Sequence, residues 1–185
     1  MIIETYFPVG VLHHNVDSVL ADKVESIILP ELDKLSRGQT QFTDFYENKI
    51  PVHELLPELI DEFVNGMRAY QSATAISITE NIPMQYWTQE YKEGDTHNIH
   101  AHGSSGISGI YWVRANDAAG ELRIHTPNPI TEYVRVDDAE NPWVWVHANI
   151  KPEKGKMILF PSYLKHEVLP SSKDAIRTTI AFNFA

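Results

Sequence analysis

The feature that most constrains this chain is its second half. From Ala75 onward, short runs rich in β-branched and aromatic residues follow one another, separated by Gly, Pro, Asn and Asp: Ala75–Thr79, Met84–Tyr91, Ile107–Arg114, Glu121–His125, Trp143–Ile150, Met157–Phe160 and Arg177–Phe184. Runs this short and this evenly spaced predict an antiparallel sandwich or barrel. The first half reads differently. After Asn15-Val16-Asp17, the residues Val16, Leu20, Val24, Ile27, Ile28, Leu32 and Leu35 recur at three-to-four-residue steps, with Pro30 arguing for a break or kink and Gly38 for a stop. A second helical stripe, Leu55, Leu56, Leu59, Ile60, Phe63, Val64 and Met67, runs from about Pro51 to Tyr70, with Pro51 and Pro57 crowding its start. Helices with one apolar stripe need a sheet to cover. The expected fold is therefore mainly β with N-terminal helices: a jelly roll over residues 75–185 and a strand and helical elaboration over 1–74, in a single domain.

Composition narrows the function classes. The 185 residues, 43% hydrophobic and 22% charged, suit one ordinary globular domain with a sizeable core. A formal charge of −10 disfavours binding to a nucleic-acid backbone or an anionic lipid surface. With no cysteine, disulfides, zinc-thiolate sites, iron–sulfur clusters and cysteine nucleophiles are ruled out. The absence fits a reducing, cytoplasmic setting. No run approaches the length of a membrane span, and the first residues carry no basic region followed by a long apolar stretch. Jelly-roll edges often pair, which leaves a homodimer open.

Histidine is the informative residue type. His97, His100 and His102 fall within six residues. Side chains two apart on an extended strand share a face, so His100 and His102 would project together, as two ligands of one metal must. Imidazole suits iron, zinc, copper and nickel alike. With nine histidines in the chain, the pair alone carries little weight. A second element supplies a partner: Gly155-Lys156-Met157-Ile158-Leu159-Phe160-Pro161-Ser162-Tyr163-Leu164-Lys165-His166 reads as a turn, a buried strand and a Pro-marked bend ending on a histidine. Eleven residues later Arg177 opens the last strand. An arginine there is either a strand-end or core ion pair, or a clamp for a carboxylate, which a planar guanidinium meets with two parallel hydrogen bonds. His97, at odd spacing from the pair, is expected at the surface or behind the ligands. His13, His14, His53, His125 and His147 have no partner at ligand spacing.

In this order the motifs resemble the Fe(II)/2-oxoglutarate-dependent dioxygenase superfamily, whose fold is the double-stranded β-helix. More closely, His100-Ala101-His102 followed by Ser108-Gly109-Ile110-Tyr111, then Phe160-Pro161-Ser162 with His166, and Arg177 with Phe182-Asn183, look like the signature of a branch with a His-x-His motif. The resemblance covers roughly Trp87 to Phe184. It implies that His100 and His166 ligate iron and that Arg177 grips the distal carboxylate of 2-oxoglutarate. It also implies O2 as oxidant and hydroxylation of a small-molecule or side-chain substrate, coupled to decarboxylation of 2-oxoglutarate. His102 stands where the wider superfamily has Asp; it is either a third imidazole ligand or a bystander. Tyr91 and Ser108 fall where relatives contact the cofactor; Trp112, which shares the face of Ser108, and Asn183, which keeps the inward parity of Arg177, are substrate candidates.

Two other readings compete. A cupin has the same general fold, and Gly94 with His100 and His102, then Gly155, Pro161 and His166, fit parts of its two motifs. The cupin Glu, Gly and Asn are missing, their places taken by Gly106 or Ile107, Tyr163 and Pro170. The third reading is a non-catalytic jelly-roll binding module.

Overall fold

Strand β10 (Arg177–Phe184) is buried at all eight positions, and the architecture is built around it. A computed structural model describes residues 2, 9–35, 42–45, 49–76, 78, 85–103, 106–128 and 145–184. In chain order the other elements are β1 (Leu12–Asn15), α1 (Ser18–Leu35), β2 (Phe42–Thr43), α2 (Val52–Leu55), α3 (Pro57–Thr74), β3 (Gln85–Tyr91), β4 (His97–His100), β5 (Ile107–Ala115), β6 (Leu122–His125), β7 (His147–Ile150), β8 (Lys156–Pro161) and β9 (His166–Val168). They form a six-stranded sheet, β1-β8-β5-β10-β3-β2, and a four-stranded sheet, β4-β9-β6-β7. Every pairing between these strands is antiparallel. This is the double-stranded β-helix, with helices on one face.

The helices start where their caps dictate. Asp17 precedes α1, and its carboxylate accepts the backbone N–H groups of Val19 (2.9 Å) and Leu20 (3.4 Å), which have no partner within the helix. Ala21, Val24, Ile28 and Leu32 form the buried stripe, and Pro30 lies inside the helix, which continues to Leu35. The expected second helix is instead two. Pro57 lacks an N–H and disfavours helical geometry at the residue before it, so Leu56 (φ −141°, ψ 59°) separates α2 from α3 and Pro57 becomes the first helical residue. On α3, Leu59, Phe63, Gly66 and Tyr70 are buried. Gly66 permits the close approach, since a Cβ there would lie 2.8 Å from the Met157 Cε on β8.

Strict alternation along the central strands divides the apolar residues into two layers. Ile107, Tyr111 and Val113 of β5, Met157 and Leu159 of β8, and Ile180, Phe182 and Phe184 of β10 pack with the helices. Phe182 stacks on Phe63 at 4.0 Å and 12°. Ile110, Trp112, Ile158 and Phe160 point the other way, into the space between the sheets, where they meet Leu122, Ile124, Ile150 and Val168. Burying each such aliphatic or aromatic side chain stabilises the fold by about 1.5–3 kcal/mol.

Some expectations need correction. Residues 75–79 are not a strand where described: α3 runs to Thr74, and Ala75 ends it in the left-handed conformation (φ 57°, ψ 15°). Ser77 and Thr79 lie outside the described residues, as do Met84, Trp143 and residues 137–141. Of the run expected over Trp143–Ile150, the described part begins at Trp145 and is a strand from His147. Trp145, at the start of that described part, is 45% exposed. Strands β4 and β9 went unanticipated because His97–His100 and His166–Val168 are too short to show alternation. Among the described residues no helix is long and apolar enough to cross a membrane.

Candidate active site

The inward parity of β10 delivers polar groups to the space between the sheets. Arg177, Thr179, Ala181 and Asn183 all line a cavity of about 270 Å³. Across β10 from β3, Arg177 pairs with Tyr91, Thr179 with Gln89 and Ala181 with Trp87. The cavity therefore has two ends, separated by roughly 13–20 Å along the strands. One holds Arg177 and Tyr91; the other holds Trp87, Asn183 and Ser108.

The opposite wall carries the histidines. His100 on β4 pairs with His166 on β9, and their rings are 4.2 Å apart. His102 lies just past the end of β4, tied down by its backbone N–H donating to the Ser162 carbonyl at 2.9 Å. One ring nitrogen from each of His100, His102 and His166 lies within 4.8 Å of the others, a spacing that could hold a metal ion. Nδ1 of His100 is 2.8 Å from the Asn98 carbonyl, and Nδ1 of His166 is 2.9 Å from the Leu164 carbonyl. A carbonyl only accepts, so both Nδ1 atoms carry the proton and both Nε2 atoms present a lone pair. Burial, reinforced by the neighbouring imidazoles, lowers the pKa of His102 to about 4. Burial lowers that of His166 to about 3, although its bond to the Leu164 carbonyl opposes the shift. Both rings are neutral near pH 7, as ligation requires.

Arg177 is 1% exposed, and its Nε and Nη1 have no hydrogen-bond partner. Its guanidinium carbon lies 4.5 Å above the centroid of the Tyr91 ring, a cation–π contact that offsets part of the desolvation. Burial lowers the pKa of this guanidinium and the Tyr91 phenol opposes the shift. A buried cation with unmet N–H groups, opening on a cavity, has the chemistry to receive an anion. At the other end Ser108 Oγ donates to Asn183 Oδ1 at 2.7 Å and meets Ser162 Oγ at 2.8 Å, all three residues being buried.

Residues 85–183, more than half the chain, match the protein family described as "Putative 2OG-Fe(II) oxygenase". The chain belongs to this family. The oxygenase family uses Fe(II) and 2-oxoglutarate with O2, and the residues present fit that pair: three imidazole nitrogens for the metal and a buried guanidinium with Nε and Nη1 unpartnered for a carboxylate. No curated protein matches this chain in sequence. Its fold is similar to that of a prolyl-4-hydroxylase from Pseudomonas putida, at 14% identity and a TM-score of 0.63, covering 95% of this chain and 92% of that one. It is also similar to a Trichoplax adhaerens prolyl hydroxylase in complex with a hypoxia inducible factor peptide fragment (15% identity, TM-score 0.61, 95% and 83% covered). HygX from Streptomyces hygroscopicus, with nickel and 2-oxoglutarate bound, gives 12% identity, TM-score 0.61, and 96% and 83% covered.

The residues singled out in the sequence thus largely converge: His100, His102, His166, Arg177, Tyr91, Ser108 and Asn183 all line the cavity. Trp112 does not. It is inward-facing, but it is packed in the apolar layer with Leu122, Ile124 and Ile158, and its indole Nε1 has no hydrogen-bond partner. His97, expected at the surface or behind the ligands, stacks on His100 and lines the cavity; burial lowers its pKa to about 4. Trp87, Phe45 and Thr179 were also missed. For Trp87 and Thr179 the signal was available, because they share parity with Tyr91 and Arg177. Phe45 follows a two-residue strand, β2, that leaves no pattern.

Proposed function

We propose that this protein couples oxidative decarboxylation of 2-oxoglutarate to hydroxylation of an uncharged C–H-bearing group. His100, His102 and His166 would hold Fe(II), and Arg177 would hold the distal carboxylate. In the overall reaction 2-oxoglutarate, O2 and R–H give succinate, CO2 and R–OH, which balances. The bound metal supplies the capacity to activate O2 and to chelate the keto-acid end of the co-substrate.

The protein's own residues do the rest. Arg177 donates two N–H groups to the distal carboxylate from a dry wall, where a charge-assisted pair is strongest. The Nδ1–H bonds of His100 and His166 fix their tautomers. At the far end Trp87 and Phe45, edge to face at 4.9 Å, offer an apolar surface beside Asn183. Among the described lining residues Arg177 is the one permanent charge and none is acidic, which supports an uncharged substrate group.

The observation that carries this reading is the burial of Arg177 with two unmet nitrogens in the same cavity as the three imidazoles. A cupin that needs only its metal, or a passive module, leaves that guanidinium without a purpose. Titration of the anaerobic Fe(II) protein with 2-oxoglutarate should produce a weak metal-to-ligand charge-transfer band. A spectrum indifferent to the keto acid overturns the proposal.

A further inference from the structure

Strand β4 does not run in step with β9. His97 lies opposite Val168 and His100 opposite His166, so three steps along β4 match two along β9. Residues three apart on a regular strand face opposite sides. The irregularity cancels that alternation, as a β-bulge does, and turns His97 into the same cavity as His100. There its ring lies nearly parallel to that of His100, with centroids 4.1 Å apart and planes at 17°.

His97 also reaches the other end of the cavity wall. Its Nδ1 is 3.2 Å from the Tyr91 hydroxyl, which itself donates to Gln89 Oε1 at 3.1 Å. With its one proton committed to Gln89, the hydroxyl accepts the Nδ1–H of His97. The guanidinium of Arg177 rests 4.5 Å over the same tyrosine ring. An unbroken line of contacts therefore joins Arg177, Tyr91, His97 and His100. Packing gives no reason for an imidazole here, since an apolar residue would fill the place without burying polar nitrogens.

We propose that His97 is a positioning residue for 2-oxoglutarate, setting the span between the Arg177 guanidinium and the histidine triad. The inference rests on the reading of Arg177 and the triad given above. The stack holds the plane of His100, and the hydrogen bond holds Tyr91 beneath Arg177. Without His97 both supports are lost, and a dianion that must reach both the Arg177 guanidinium and the metal binds less tightly, while the three metal ligands remain.

The test compares the wild type, His97→Ala and His97→Phe as anaerobic Fe(II) proteins titrated with 2-oxoglutarate, with Fe(II) affinity and thermal melting measured alongside. His97→Ala should weaken 2-oxoglutarate binding about tenfold, the scale of lost outer-shell support. It should also shift the charge-transfer maximum and leave Fe(II) affinity within about twofold. His97→Phe keeps a ring to stack but not the hydrogen bond; it should fold, hold the band near its wild-type position and still bind the keto acid less tightly. Wild-type affinity and band in His97→Ala overturn the inference, as does loss of Fe(II) along with 2-oxoglutarate, which would make His97 a ligand. Wild-type 2-oxoglutarate affinity in His97→Phe removes the hydrogen bond from it. Absence of any band in the wild type would instead sink the underlying reading, and this inference with it.

Discussion

His100 and His166 face each other across strands β4 and β9, and each turns its Nδ1 to the carbonyl of the residue two before it, Asn98 and Leu164. The two strands thus supply the same local device twice, and a backbone carbonyl sets the tautomer of each ring so that Nε2 presents a lone pair. Substitution His166→Ala should lower affinity for Fe(II), or for Ni(II) as a redox-inert substitute, by more than about a hundredfold, beyond the range seen for outer-shell changes. Calorimetric titration of the metal-free variant checks this, and retained micromolar binding would remove His166 from the ligand set.

His102 is held less firmly, by its backbone N–H alone and a ring contact with Trp87 at 5.8 Å. If it ligates, His102→Ala should weaken metal binding at least about tenfold. His102→Asp should then bind Fe(II) at least as tightly as the wild type, because a carboxylate restores one negative charge to an otherwise neutral donor set. Equal Fe(II) affinity in the wild type and His102→Ala would make His102 a bystander.

Arg177 sets stability against function. A buried guanidinium with Nε and Nη1 unpaired costs desolvation that the Tyr91 ring only partly returns. Replacing it by an apolar side chain of similar length, Arg177→Met, should leave the metal-free protein equally stable or about 1–3 kcal/mol more stable. The same change should weaken 2-oxoglutarate binding by about a hundredfold and spare the metal. Chemical denaturation and the charge-transfer titration read the two effects. A clear destabilisation would assign the arginine a structural role.

The depressed pKa values make the metal-free protein acid-sensitive. His97 and His102 (about 4) and His166 (about 3) resist protonation when folded, whereas the unfolded chain protonates them near 6.5. Unfolding therefore takes up protons below that value. These groups exert no drag above about pH 6.5, and they erode stability as the pH falls from there through 4 towards 3. Allowing for partial exposure, each contributes up to about 1 kcal/mol per pH unit across that window. Urea midpoints measured between pH 7.5 and 4.5 should fall more steeply for the wild type than for His97→Phe. Parallel slopes would refute the assignment.

Glu90, Thr178 and Arg114 stand in one row across β3, β10 and β5. Arg114 donates to Glu90 at 2.8 Å and to Thr178 at 3.0 Å. This row pins the register beside Arg177. Arg114→Ala should destabilise the protein by about 1.5–3 kcal/mol, the range for hydrogen bonds to charged groups, as measured by denaturant unfolding. A change below about 0.5 kcal/mol would show the row to be idle.

Local pattern alone determined much of this protein. Alternation in Ile107–Arg114, Met157–Phe160 and Arg177–Phe184 separates helix-facing from cavity-facing residues. Arg177 and Asn183 therefore point inward together, and the helical stripes predict the layer that covers the sheet. Such periodicities are written residue by residue, so a sequence shows them. Only the tertiary structure decided that β4 slips against β9 and brings His97 inside, and that the neighbouring sheet fills the space around Trp112. The union of His100, His166 and Arg177 around one cavity likewise depends on pairing strands far apart in the chain. Register and inter-sheet packing are long-range quantities, set by which strands meet, and no single segment carries them.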